Sequence, residues 1–122
     1  MGVRIGKNVF ISSGAWIDVQ DGEVTIEDSV RITKGCKILS HDHTAWMLRD
    51  GEGVSQKTFI GQGSFLGMNV IVLPGVTIGQ GCVIGAGCVI SFDIPDNSVV
   101  VGTKPKIIKR KNLDTQTWEK VT

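Results

Sequence analysis

The chain has 122 residues, 41% hydrophobic and 20% charged, with a formal net charge of +1. That size and balance describe one soluble domain and exclude a global field that would draw in nucleic acid or membrane. The sequence contains no apolar run long enough to cross a bilayer, and no basic-then-apolar leader opens it.

From the N-terminus an aliphatic residue returns at every sixth position: Ile5, Ile11 and Ile17, with Gly6, Val9 and Ala15 in companion slots. The stretch "DVQDGEVT" (Asp18 to Thr25) then adds three residues and a turn-forming Asp21-Gly22 pair, so a loop is predicted to project over 18–25. Ile26, Ile32 and Ile38 resume the beat, with Val30 and Cys36 as smaller partners. "SHDHTAWMLRDGEGVSQKTF" interrupts it again and predicts a second projecting loop over 41–58. The longest unbroken run follows: Ile60, Leu66, Val72, Ile78, Ile84 and Ile90, with Ser64, Val70, Val76, Cys82 and Cys88 four residues after successive aliphatics. The repeats end near Ile94, and a basic tail closes the chain.

Helices place apolar residues three and four apart, and half-buried strands alternate strictly. Neither pattern gives one aliphatic per six residues followed directly by glycine, as at Ile60-Gly61, Leu66-Gly67, Ile78-Gly79 and Ile84-Gly85. The 16 glycines lie inside this apolar pattern and imply a backbone turning sharply at regular intervals. Hexapeptide repetition is the signature of a parallel β-helix, in which each short strand pairs with the coils above and below. The predicted fold is all-β, with a β-helix domain over 1–103, the loop at 41–58 and a short tail over 104–122. Cys36, Cys82 and Cys88 occupy small inward slots and read as core fillers. Their odd number and lack of metal-type spacing fit a reducing cytoplasm.

The chain has 2 histidines, His41 and His43, both at the start of the longer loop. Loops on a rigid scaffold are where function concentrates, although either side chain could equally be a solvated loop residue. A zinc enzyme of the γ-carbonic-anhydrase type requires three histidine ligands, one more than the chain contains, and no metal is expected. Lys104, Lys106, Lys109, Arg110 and Lys111 fall close together without an intervening acid. Such a run is usually a solvated face. With no aromatic platform beside it in sequence, it does not point to nucleic acid.

The six-residue pattern, with "PGVTIG…VIGAG" and the ending "DIP…VVGTKPKIIK", resembles the left-handed β-helix acyltransferases. The galactoside and maltose acetyltransferases and the cell-surface-sugar O-acetyltransferases are the nearest in pattern. The resemblance spans roughly Ile5 to Arg110. It implies three six-residue faces per coil in a left-handed triangular prism, with residues eighteen apart stacked: Ile60 under Ile78, Leu66 under Ile84, Val72 under Ile90. It also implies a homotrimer with active sites between neighbouring prisms. Acetyl-CoA would be the donor, and a hydroxyl of a sugar or cell-surface polysaccharide precursor the acceptor.

In that family the catalytic histidine opens the loop before a restart seen here as "FIGQGSFLG", which assigns the general base to His41, with His43 second and on the acceptor side. Phe65 would line the acceptor and pantetheine end, and the Met68 backbone amide would meet the oxyanion. Gly85, Ala86 and Ser91 fall where the pantetheine arm lies, and Lys106 and Lys109 where the phosphates of coenzyme A are met. The family's acceptor-binding "N-x-N" stretch is "ISSGAW" here, so Ser12 or Ser13 would substitute. The chain begins directly in the repeat, without the family's helical N-terminal segment, so the resemblance leaves two expectations: a large acceptor that needs an open site, or a chain that has lost activity. The alternative is a non-catalytic β-helix subunit that binds a partner through its flat faces.

Overall fold

The computed structural model describes residues 2–18, 20, 22–42, 54–102, 107 and 109–120, with no helix among them. Short strands stack in parallel into three faces. The first contains β1 (Gly2–Ile5), β4 (Glu23–Ile26), β9 (Lys57–Ile60) and β12 (Thr77–Ile78). The second contains β2 (Phe10–Ile11), β5 (Arg31–Ile32), β10 (Phe65–Leu66), β13 (Val83–Ile84) and β15 (Val99–Val100). The third contains β3 (Trp16–Ile17), β6 (Lys37–Ile38), β11 (Ile71–Val72) and β14 (Val89–Ile90). The chain visits the faces in turn and climbs one strand spacing, about 4.8 Å, per coil. The result is a left-handed parallel β-helix.

The repeat aliphatics form the inner columns. Ile60 pairs with Ile78, Leu66 with Ile84 and Val72 with Ile90, as the eighteen-residue stacking requires. Below them Ile26 pairs with Ile60, Ile32 with Leu66 and Ile38 with Val72, so both insertions leave the columns unbroken. Nearly all of these side chains have 0% exposure, and Ser64, Val70, Val76, Cys82 and Cys88 are buried beside them. The columns continue past Ile94, which bridges to Ile78, as far as Val100 opposite Ile84.

The glycines play two different parts at the prism edges. At most edges the residue three after the inward aliphatic carries a positive φ: Asn8, Gly14, Ser29, Gly35, Gly63, Asn69, Gly75, Gly81, Gly87 and Asn97. Glycine, asparagine and serine share that slot because a short polar side chain tolerates the left-handed conformation. The glycine directly after the aliphatic is there for clearance. A Cβ on Gly67 would sit 2.7 Å from the Ala86 nitrogen of the next coil, too close for any side chain.

Two expectations change at the loops. The 18–25 segment does not project as a whole, because Glu23–Ile26 is the four-residue strand β4 and Asp18 and Gly22 are buried. The 41–58 segment is tied down at both ends. β7 (His41–Asp42) pairs antiparallel with β8 (Val54–Ser55), and Thr58 is buried in β9 with its hydroxyl donating to the Leu39 carbonyl at 2.6 Å. Residues 43–53 lie outside the described residues. Beyond the prism, part of the tail forms an antiparallel hairpin, β16 (Lys109–Asn112) and β17 (Thr117–Lys120).

Candidate active site

His41 stands three residues after Ile38, in the slot that turns other edges with positive φ, but here the chain departs as β7. One coil below, Asp18 follows the inward Ile17, which pairs with Ile38. Asp18 is buried, with 2% of the residue exposed, and its carboxylate is satisfied by four donors. Oδ1 accepts the Gln20 N–H at 3.0 Å. Oδ2 lies 3.2 Å from the Ser40 nitrogen, 3.2 Å from the Ser40 hydroxyl and 2.5 Å from His41 Nδ1. The hydroxyl also lies 3.3 Å from the Asp18 carbonyl and 3.2 Å from that of Gln20, so its single proton is shared among several acceptors.

Burial pushes the Asp18 carboxyl up. The N–H groups of Gln20 and Ser40 and the His41 ring more than offset this, and its pKa falls below the usual 3.8. Asp18 is therefore an anion at neutral pH. An ionised carboxylate only accepts, so Nδ1 must carry a proton, and in the neutral imidazole the lone pair is then on Nε2. The His41 side chain is 18% exposed against 3% for Asp18. A buried anion thus fixes the tautomer and orientation of a more accessible imidazole, which suits a general base.

The other expected site residues divide between edges. On the edge between the second and third faces lie Ser12, Ser13, Met68, Gly85 and Ala86. Met68 and Ala86 are on adjacent coils, and the Met68 carbonyl accepts the Gly87 N–H at 2.9 Å. Gly87 has a φ of 77° and open space around its would-be Cβ, whereas a Cβ on Gly85 would meet the Val100 carbonyl oxygen at 3.2 Å. Phe65 points outward from the second face, 39% exposed, in register with Arg31 and Val83. His41 and Ser91 lie on the edge between the third and first faces, with Ser91 two coils above, about 10 Å by strand spacing. The whole third face separates His41 from Met68 within one chain. Two surface depressions involve Arg4, Glu23, Glu27, Asp28 and Gln62 and include neither His41 nor Asp18. Lys109 is exposed on β16; His43 and Lys106 lie outside the described residues.

Asp18 and Ser40 were not singled out from the sequence. The signal was available in the register: Ile17 and Ile38 are twenty-one residues apart, one coil of eighteen plus the three inserted residues. That offset puts Asp18 directly beneath the residues that enter the histidine loop.

Residues 57–91 match the family "Bacterial transferase hexapeptide (six repeats)". The chain resembles the hexapeptide-repeat acetyltransferases. A hexapeptide-repeat acetyltransferase from Vibrio cholerae superposes with a TM-score of 0.72 at 27% identity, over 82% of this chain and 57% of that one. The polySia-specific acetyltransferase NeuO gives 0.71 at 26% identity, over 88% and 51%. A galactoside acetyltransferase in complex with coenzyme A gives 0.66 at 29% identity, over 81% and 60%. The chain thus spans just over half the length of these hexapeptide-repeat proteins. No curated protein matches it significantly.

Proposed function

We propose that the chain is an acetyl-CoA-dependent O-acetyltransferase acting on a sugar hydroxyl, such as that of a cell-surface polysaccharide precursor. The observation that carries this reading is the buried Asp18 anion on His41 Nδ1, at the mouth of the loop that interrupts a hexapeptide prism. His41 Nε2 takes the proton of the acceptor hydroxyl as its oxygen attacks the thioester carbonyl. The Met68 N–H stabilises the resulting oxyanion. On collapse the C–S bond breaks, the protonated His41 returns its proton to the leaving sulfur, and the products are an acetyl ester and coenzyme A. Asp18 steadies the imidazolium between the two transfers. The catalytic unit is residues 1–103, with 104–122 as an appendage to the prism.

The separation of His41 from Met68 within one chain supports a site shared between copies, His41 from one prism and Phe65 and Met68 from its neighbour. The outer surfaces support a cyclic trimer. Phe10, Phe65, Val83 and Val99 project from the second face, and Trp16 and Val89 from the third, all exposed. The first face instead presents Arg4, Thr25, the half-buried Phe59 and Thr77 at the equivalent positions. Arg31 and Lys37 interrupt the two apolar columns, but two adjacent faces that are mostly apolar beside one that is mostly polar suit a head-to-tail ring of three. Ser12, Ser13 and His43 are assigned to the acceptor, and Gly85, Ala86, Ser91, Lys106 and Lys109 to coenzyme A. We place the protein in the cytoplasm, which keeps free buried thiols such as Cys36, Cys82 and Cys88 reduced.

The test is thiol release from acetyl-CoA across a panel of sugars and nucleotide-sugars. Release with one acceptor class, lost in His41→Ala, is expected. A panel without any acceptor-dependent release would overturn the reading.

A further inference from the structure

The lysine run ends in the β16–β17 hairpin, and the ladder sorts its side chains by side. Opposite residues in an antiparallel pair share a side, and successive pairs alternate. Lys109 lies opposite Lys120 and Lys111 opposite Trp118, which places three lysines and one tryptophan on one side. Arg110 opposite Glu119 and Asn112 opposite Thr117 form the other. The one acid in these two strands, Glu119, is on that second side and accepts from Asn112 Nδ2 at 2.8 Å. Trp118 is 66% exposed. The turn is fixed by Asn112, whose Oδ1 accepts the N–H groups of Asp114 and Thr115 at 2.9 and 3.2 Å, and by Gln116 at a φ of 62°.

We propose that this side of the hairpin binds the adenosine 3′-phosphate 5′-diphosphate end of the acyl donor. The Trp118 indole stacks on the base while Lys109, Lys111 and Lys120 meet the phosphates. One aromatic matches one base, and three ammonium groups match three phosphates. The backbone sets these positions about 5 Å apart across the strands and about 7 Å along them, within reach of flexible lysine stems. A nucleic-acid strand would instead want successive stacking platforms. The identity of the ligand rests on the acyl-transfer reading; the recognition chemistry rests on the hairpin. It gives a role to Lys111, Trp118 and Lys120, which that reading leaves without one.

The experiment is calorimetric titration of the full chain with coenzyme A, 3′-phosphoadenosine 5′-phosphate and pantetheine, beside turnover with acetyl-CoA and with acetyl-pantetheine. Trp118→Leu keeps an apolar side chain without a stacking ring. It is expected to weaken both nucleotides about 5- to 150-fold, the range for loss of one stacked base, and to leave pantetheine unchanged. Trp118→Phe should recover most of that loss, and Lys111→Ala should flatten the salt dependence of nucleotide binding. Equal coenzyme A affinity in wild type and Trp118→Leu would overturn the proposal, as would a loss that Trp118→Phe does not recover. Acetyl transfer unaffected by Trp118→Leu at low acetyl-CoA would sink the platform while sparing the proposed function. Trp118-dependent nucleotide binding without acetyl transfer would do the reverse.

Discussion

Asp18→Asn removes the charge and one acceptor while keeping the shape, so its effect can be worked out from the hydrogen bonds. Asp18 Oδ2 faces three donors, the Ser40 nitrogen, the Ser40 hydroxyl and His41 Nδ1, and Oδ1 faces the Gln20 N–H. An amide offers one oxygen. With that oxygen toward His41, the new NH₂ opposes the Gln20 N–H. With the amide reversed, the NH₂ opposes His41 Nδ1 and drives the ring proton to Nε2, where the base is needed. Either arrangement leaves a buried donor unmatched, at about 1–3 kcal/mol. Loss of the correct tautomer and of the anion that stabilises the imidazolium should lower kcat by about 10²–10⁴. Thiol release at saturating acetyl-CoA measures the rate, and urea denaturation the stability. Coenzyme A affinity should stay within about threefold of wild type, because the base faces the acceptor rather than the cofactor. An Asp18→Asn protein within twofold of wild-type kcat would refute the assignment of Asp18 as the orienting anion.

Four other outcomes are expected. Leu66→Ala should cost about 2–5 kcal/mol in urea, and Gly67→Ala about 1–3 kcal/mol, because its Cβ meets the Ala86 backbone; a neutral Gly67→Ala would mean that the coils are less closely stacked. Asp18 has a depressed folded-state pKa, so its contribution to stability is fully present above its unfolded value of 3.8 and is lost as pH falls through the lower folded value. Below about pH 4 wild type should therefore lose more stability than Asp18→Asn does, and parallel losses would count against this sign. Sedimentation should find a trimer at micromolar concentration that Val83→Glu dissociates, and a stable wild-type monomer would remove the basis for a shared site.

The inner columns were legible because burial imposes one rule on every coil: the sixth residue must be aliphatic whichever face it enters. Insertions did not blur this, since each rejoins the column at the next isoleucine. Edge chemistry was less legible. Glycine after Leu66 and glycine three residues after Ile84 look alike in sequence, yet the first answers a close approach of two coils and the second a positive φ. The site was half legible. His41 announces itself by opening a loop, whereas Asp18 looks like part of a turn until the coils are stacked in register. The hairpin at 109–120 lacks an apolar alternation altogether. It is specified by the Asn112 turn and cross-strand polar pairs, and its lysine and tryptophan side emerges only once the strands are paired.

The decisive measurement is the single-turnover rate of acetyl transfer by His41→Ala, set beside wild type at saturating acetyl-CoA and acceptor. A base held by Asp18 predicts a fall of about 10²–10⁴, with coenzyme A binding by calorimetry unchanged. A His41→Ala protein that transfers acetyl groups at the wild-type rate would contradict it.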